Sequence, residues 1–103
     1  MEGGDGDDDI IAGPGQDDVL GGAGDDQIYG GTADDDLWGG SGNDIIRGGR
    51  GADILRGEEG DDILLGGYDV NGNDSETDDD SDRSIDYEYI YGDEGDDLIF
   101  GEK

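Results

Sequence analysis

From Gly3 onward the chain divides into blocks of nine residues that keep one pattern, and no other feature constrains its fold as much. Seven consecutive units start at residues 3, 12, 21, 30, 39, 48 and 57. The first reads Gly3-Gly4-Asp5-Gly6-Asp7-Asp8-Asp9-Ile10-Ile11, and the fifth reads Gly39-Gly40-Ser41-Gly42-Asn43-Asp44-Ile45-Ile46-Arg47. The shared pattern is G-G-x-G-x-D-x-U-x, with U a large aliphatic residue. Its sixth position is aspartate in every unit: Asp8, Asp17, Asp26, Asp35, Asp44, Asp53 and Asp62. Its eighth is aliphatic in every unit: Ile10, Val19, Ile28, Leu37, Ile46, Leu55 and Leu64. Ala12, Ala33 and Glu58 replace single glycines, and a further unit, Gly92 to Phe100, carries Asp97 at its sixth position. A short fixed period of this kind marks a solenoid, in which each unit buries its apolar face only against its neighbours.

Composition narrows the chemistry. The chain has 32 acidic and 5 basic residues, a formal charge of −27, and neither cysteine nor histidine. In random order such a chain would be disordered. Thiolate and imidazole metal sites are excluded, which leaves carboxylate and carbonyl oxygens, the ligands of hard cations. Nucleic acid and anionic membranes repel this charge, so neither is an expected partner. No apolar run is long enough for a membrane-spanning helix, and Met1-Glu2-Gly3-Gly4 has neither the basic nor the apolar part of a signal peptide. Without His or Cys, no catalytic constellation emerges, and the chain is not expected to be an enzyme.

The nonapeptide run resembles the RTX, or hemolysin-type, calcium-binding repeat family of secreted bacterial proteins, continuously over residues 3–67 and again over 92–101. The resemblance implies an all-β parallel β-roll in which two nonapeptides make one turn. A six-residue loop and a three-residue strand are expected per unit, with the glycines allowing the loop to wrap an ion. Units eighteen residues apart then stack, so one edge carries Asp8, Asp26, Asp44 and Asp62 and the other Asp17, Asp35 and Asp53. The resemblance implies Ca²⁺ between stacked loops, held by paired aspartates and by backbone carbonyls of the second and fourth positions. Those positions are Gly4, Gly6, Gly13, Gly15, Gly22, Gly24, Gly31, Ala33, Gly40, Gly42, Gly49, Gly51 and Gly60. Five stacked pairs are well specified: 8/26, 26/44, 44/62, 17/35 and 35/53. A sixth, below Asp53, would meet Asn71 instead of aspartate, and the partner of Asp97 depends on how the intervening chain is threaded. The family further implies a larger parent protein, an extracellular location reached by a type I route, and folding that waits for calcium.

Three segments follow: roll repeats over 1–67, an acidic insert over 68–91, and a closing repeat over 92–103. Within the insert, the run from Asp78 to Asp82 reads as solvated charge. Asp69, Asn71 and Asn73 do not make an EF-hand, because Gly72 falls a place early and no Glu closes the loop. Ile85 to Tyr91 alternates apolar and acidic residues as a strand does, with Ile90 placed as a core residue. Positions seven and nine are expected to face outward. Ile11, Leu20, Tyr29 and Trp38 stand at position nine, followed by Arg47 and Arg56. An alternative function is therefore a calcium-dependent adhesive module that self-associates or binds a partner through this face.

Overall fold

The computed structural model describes residues 1–67 and 89–100. Among these residues ten strands alternate between two parallel sheets. Strands β1 (Glu2–Asp5), β3 (Asp18–Ala23), β5 (Asp36–Ser41), β7 (Ile54–Glu59) and β9 (Tyr89–Glu94) form one sheet in that order. Strands β2 (Asp9–Pro14), β4 (Gln27–Thr32), β6 (Ile45–Arg50), β8 (Ile63–Gly67) and β10 (Leu98–Phe100) form the other. At every described loop the chain crosses from one sheet to the other, so it is an all-β parallel β-roll.

The register is the eighteen-residue step expected from two nonapeptides per turn. Ile10 pairs with Ile28, Ile28 with Ile46, and Ile46 with Leu64. On the facing sheet Val19 pairs with Leu37, and Leu37 with Leu55. These seven side chains are the buried core, none more than 8% exposed. Every U position of the continuous repeats is therefore inside, in two facing rows. A core this thin follows from the pattern, since only one residue in nine is both large and inward.

Strand and loop divide differently from the six-plus-three expectation. Most strands are six residues long, running through positions seven to nine and on into the first three of the next unit. The paired glycines remain in the ladder, as Gly13 with Gly31 and Gly22 with Gly40. Only positions four to six turn the corner.

Second- and fourth-position glycines have φ between 97° and 126°. Three residues with side chains stand at such positions: Ala33 at φ 83°, Glu58 at 78° and Asp93 at 71°. The left-handed region is costly for them, at roughly 1–2 kcal/mol each. Their smaller φ has a local reason. At Gly22, Gly31 and Gly40 an ideal β-carbon would run into the carbonyl of the glycine one turn earlier, and rotating φ swings a real β-carbon aside.

Past Gly67 the described chain resumes at β9, which lies against β7 with Ile90 opposite Leu55. Ile90 packs against the core, as its place in the sequence suggested. β10 lies against β8, with Ile99 opposite Leu64. Asn71, the acidic run at 78–82 and the start of the expected strand at 85 lie outside the described residues.

Candidate calcium sites between stacked loops

Each loop places its sixth-position aspartate at the corner where the chain leaves one sheet for the other. Asp26, Asp35, Asp44, Asp53 and Asp62 are all at most 2% exposed, although each is a carboxylate. An ionised carboxylate is buried at a high free-energy cost unless hydrogen bonds or a cation compensate.

Half of that compensation is visible. The backbone N–H of each aspartate donates to Oδ1 of the aspartate one turn later. Asp8 donates to Asp26, Asp26 to Asp44, and Asp44 to Asp62, each at 2.8 Å. On the other edge Asp17 donates to Asp35 at 2.9 Å and Asp35 to Asp53 at 3.0 Å. The expected stacked pairs are thus neighbours in space. A further pair joins them: Asp62 N–H donates to Asp97 Oδ1 at 2.9 Å, across 35 residues of sequence. β9 and β10 continue the stack in register, and Asp97 lies beneath Asp62.

The other oxygen lacks a partner. Oδ2 of Asp8, Asp17, Asp26, Asp35, Asp44 and Asp62 is buried without a hydrogen bond. For Asp8, Asp26 and Asp35 it lies near a carbonyl of the next turn, around the place where a β-carbon on the first-position glycine would sit. From that point at Gly21, Asp26 Oδ2 and Gly39 O are both 2.6 Å away. At Gly30 the corresponding distances are 2.6 Å to Asp35 Oδ2 and 2.7 Å to Gly48 O. At Gly3 they are 2.6 Å to Asp8 Oδ2 and 2.8 Å to Gly21 O. The sequence expectation named second- and fourth-position carbonyls, and these first-position carbonyls lie near the same carboxylates.

Second- and fourth-position carbonyls point along the stack. Those of Gly4, Gly13, Gly22 and Gly31 face the second-position glycine of the next turn, and those of Gly6, Gly24, Ala33, Gly42 and Gly60 the fourth-position glycine. The inter-loop space is consequently lined by oxygen from both sides. Among the described residues no three acidic side chains gather into one cluster. Buried carboxylates arrive one per loop, so a cation here would draw much of its coordination from carbonyls, the mixed oxygen set that suits Ca²⁺.

A second ladder, absent from the sequence expectations, runs beside the first in the opposite sense. Asp25 N–H donates to Asp7 Oδ1, Asn43 to Asp25, Asp61 to Asn43 and Asp96 to Asp61, at 2.8 to 2.9 Å. Ala52 N–H donates likewise to Asp34. Position five thus links the loops through exposed side chains that accept amide hydrogen bonds whether or not a cation is near.

Burial raises the carboxyls of Asp26, Asp35, Asp44 and Asp62 above the usual 3.8, and neighbouring aspartates add to the shift. Asp35 and Asp44 are pushed up to about 6, backbone hydrogen bonds opposing only part of the effect. A carboxyl with its folded pKa raised binds protons more tightly when folded. The resulting stability is complete below 3.8 and is lost as pH rises through about 6. In calcium-free buffer, β-structure followed by circular dichroism is therefore expected to increase as pH falls from 7 towards 4. A flat signal across that window would show that these carboxylates do not limit folding.

The description "RTX calcium-binding nonapeptide repeat" applies to a family profile that matches the chain in four copies, at residues 2–37, 11–46, 38–67 and 88–103. Comparison with curated proteins gives no match, and comparison with solved structures gives none. The matched stretches hold every stacked aspartate described above, including Asp97. With its eighteen-residue register, its inward aliphatic rows and its buried aspartates, the chain belongs to the RTX calcium-binding nonapeptide repeat family.

Proposed function

We propose that this module is a calcium-driven folding element of a larger secreted bacterial protein, with Ca²⁺ between successive loops on both edges of the roll. The observation that carries the reading is the row of buried Oδ2 atoms without hydrogen bonds, with a first-position carbonyl of the next turn beside those of Asp8, Asp26 and Asp35. The proposed sites are the pairs 8/26, 26/44, 44/62, 62/97, 17/35 and 35/53. Side-chain ligands are the paired aspartates, joined by carbonyls of the first, second and fourth positions.

The charge supports the same reading. At −27 the chain resists compaction until cations screen the stacked carboxylates. Extracellular calcium modules bind with dissociation constants of roughly 10⁻⁴–10⁻³ M. Where calcium is scarce, as inside a cell, such a chain stays extended and can pass a narrow secretion channel, folding on exit. The segments 1–67, 68–91 and 92–103 then act as roll, insert and closing turn. Nothing in this reading asks for catalysis.

The adhesive alternative rests on the outer face. Ile11 and Leu20 are exposed, but part of the face is engaged within the roll. The Arg56 guanidinium lies 5.1 Å from the Trp38 ring and 5.5 Å from the Tyr91 ring. This cation–π stack accounts for Trp38 without an external partner.

The test is a count of ions. Native mass spectrometry of the calcium-saturated fold is expected to find about six bound Ca²⁺, one per stacked pair. Mg²⁺ should substitute poorly, since it demands a tight octahedral shell and retains water. A single bound ion, or equal folding by Mg²⁺, would reject the shared-site arrangement.

A further inference from the structure

Shared carboxylates leave the proposed calcium rows short of negative charge, and the fifth-position side chains stand where that charge is missing. On the calcium reading, the row Asp8, Asp26, Asp44, Asp62, Asp97 encloses four ions, one between each pair of neighbours. Four divalent ions bring eight positive charges to five aspartates, and three charges remain unmatched. On the other edge two ions bring four charges to Asp17, Asp35 and Asp53, and one remains unmatched. Carbonyl ligands carry no net charge and do not remove the excess.

The fifth position holds exposed carboxylates in nearly that number. Along the Asp8 edge it is occupied by Asp7, Asp25, Asn43, Asp61 and Asp96, four carboxylates against three unmatched charges. Along the other edge it is occupied by Gln16, Asp34 and Ala52, one carboxylate against one charge. Each precedes the buried aspartate of its own loop in sequence, and on the Asp8 edge each lies close to a fourth-position carbonyl. From the place where a β-carbon on Gly24 would sit, Asp7 Oδ1 is 3.0 Å away and Gly6 O is nearer still. At Gly42 the same distance to Asp25 Oδ1 is 3.0 Å, at Gly60 to Asn43 Oδ1 3.1 Å, and at Gly95 to Asp61 Oδ1 3.2 Å.

Asn43 separates the hydrogen bond from the charge. Its Oδ1 accepts the Asp61 N–H at 2.9 Å, just as Asp25 Oδ1 accepts the Asn43 N–H at 2.8 Å. A neutral amide therefore holds the ladder in the same geometry, and the charges on Asp25 and Asp61 are additional to it. A unit charge beside a divalent ion acts over several ångströms, and salt at about 0.1 M damps it without removing it.

We infer that the fifth-position side chains set the calcium affinity of the stack: one oxygen ties loop to loop, the carboxylate charge offsets what the shared aspartates leave unmatched, and Asn43 keeps the central rung neutral. This inference rests on the calcium reading above and adds no site, since the effect needs no contact between these oxygens and an ion.

Calcium titrations followed by circular dichroism, at about 0.1 M and about 1 M KCl, test it. At the lower salt Asn43→Asp should lower the calcium midpoint of folding about threefold, and the double variant Asp25→Asn, Asp61→Asn should raise it by at least about that factor. At the higher salt, where charges act over only about 3 Å, the unaltered chain and these variants should converge. Asn43→Ala removes the acceptor of the Asp61 amide without changing charge, and should raise the midpoint at both salts. An unchanged or higher midpoint for Asn43→Asp at the lower salt overturns the inference while leaving the calcium reading intact. Asp-to-Asn shifts that persist in full at the higher salt also overturn it, because position five would then act through its hydrogen bonds alone. An unaltered chain that does not fold in Ca²⁺ at either salt overturns both.

Discussion

Asp44→Ala is expected to raise the calcium midpoint of folding far more than Asp8→Ala, and to lower the steepness of the transition. Asp44 sits at the middle of the row Asp8, Asp26, Asp44, Asp62, Asp97. It accepts from the Asp26 amide above and donates to Asp62 below, so its loop borders two inter-loop spaces. Asp8 borders one. At a calcium concentration a hundredfold above the dissociation constant, each filled site contributes about 2.7 kcal/mol. Removing Asp44 should therefore cost about 5 kcal/mol and removing Asp8 about 3 kcal/mol. The larger figure approaches the whole stability of a small domain. In a linear array the central loss also divides the edge into two short stacks, whereas the terminal loss frays one turn. Calcium titrations of both variants side by side check this, and equal midpoints would mean that ions are not shared between stacked loops.

The second large effect is expected from a glycine that does not have positive φ. At Gly21 an added β-carbon would lie 2.6 Å from Asp26 Oδ2, 2.6 Å from Gly39 O and 3.2 Å from the Asp26 β-carbon. Both oxygens belong to the proposed calcium surroundings, and the backbone carbonyl is fixed by the ladder. Gly21→Val would fill that space with a branched side chain and push the carboxylate off its position. Folding by Ca²⁺ should be lost or shifted to at least tenfold higher concentration, a change of about 1.4 kcal/mol or more. Gly4→Ala makes the control. Its φ is 102°, so it carries backbone strain, but a β-carbon there has nothing within 4 Å. If the two variants behaved alike, backbone strain rather than the inter-loop oxygens would govern the glycine pattern.

Much of this architecture is legible in the sequence because a repeat states its own register. The alignment in nines identifies the U residues, and all seven of them are in the core. The same alignment brings Asp8 to Asp26 and Asp17 to Asp35. Three things were not legible, each for a physical reason. The strands extend through the paired glycines because backbone pairing needs no side chain, so composition misplaces the boundary between loop and strand. The fifth-position ladder was hidden because Asp7, Asn43 and Asp61 look like any polar loop residue until stacking brings an amide to each. The placement of Asp97 could not be read because 35 residues separate it from Asp62, and an interrupted period no longer says which turn comes next. Ile90 was the one foothold, being an aliphatic residue set at core distance before Gly92.

If calcium between stacked loops creates the fold, far-ultraviolet circular dichroism during a calcium titration with subsequent chelation will follow folding and its reversal. At pH 7 the chain in excess chelator should lack β-structure, because buried aspartates such as Asp35 and Asp44 would have to fold either charged and uncompensated or protonated against the prevailing pH. Adding Ca²⁺ to millimolar levels should produce the β spectrum in one cooperative step, and chelator should reverse it. A full β spectrum that persists in excess chelator at pH 7 would mean that the roll folds without calcium.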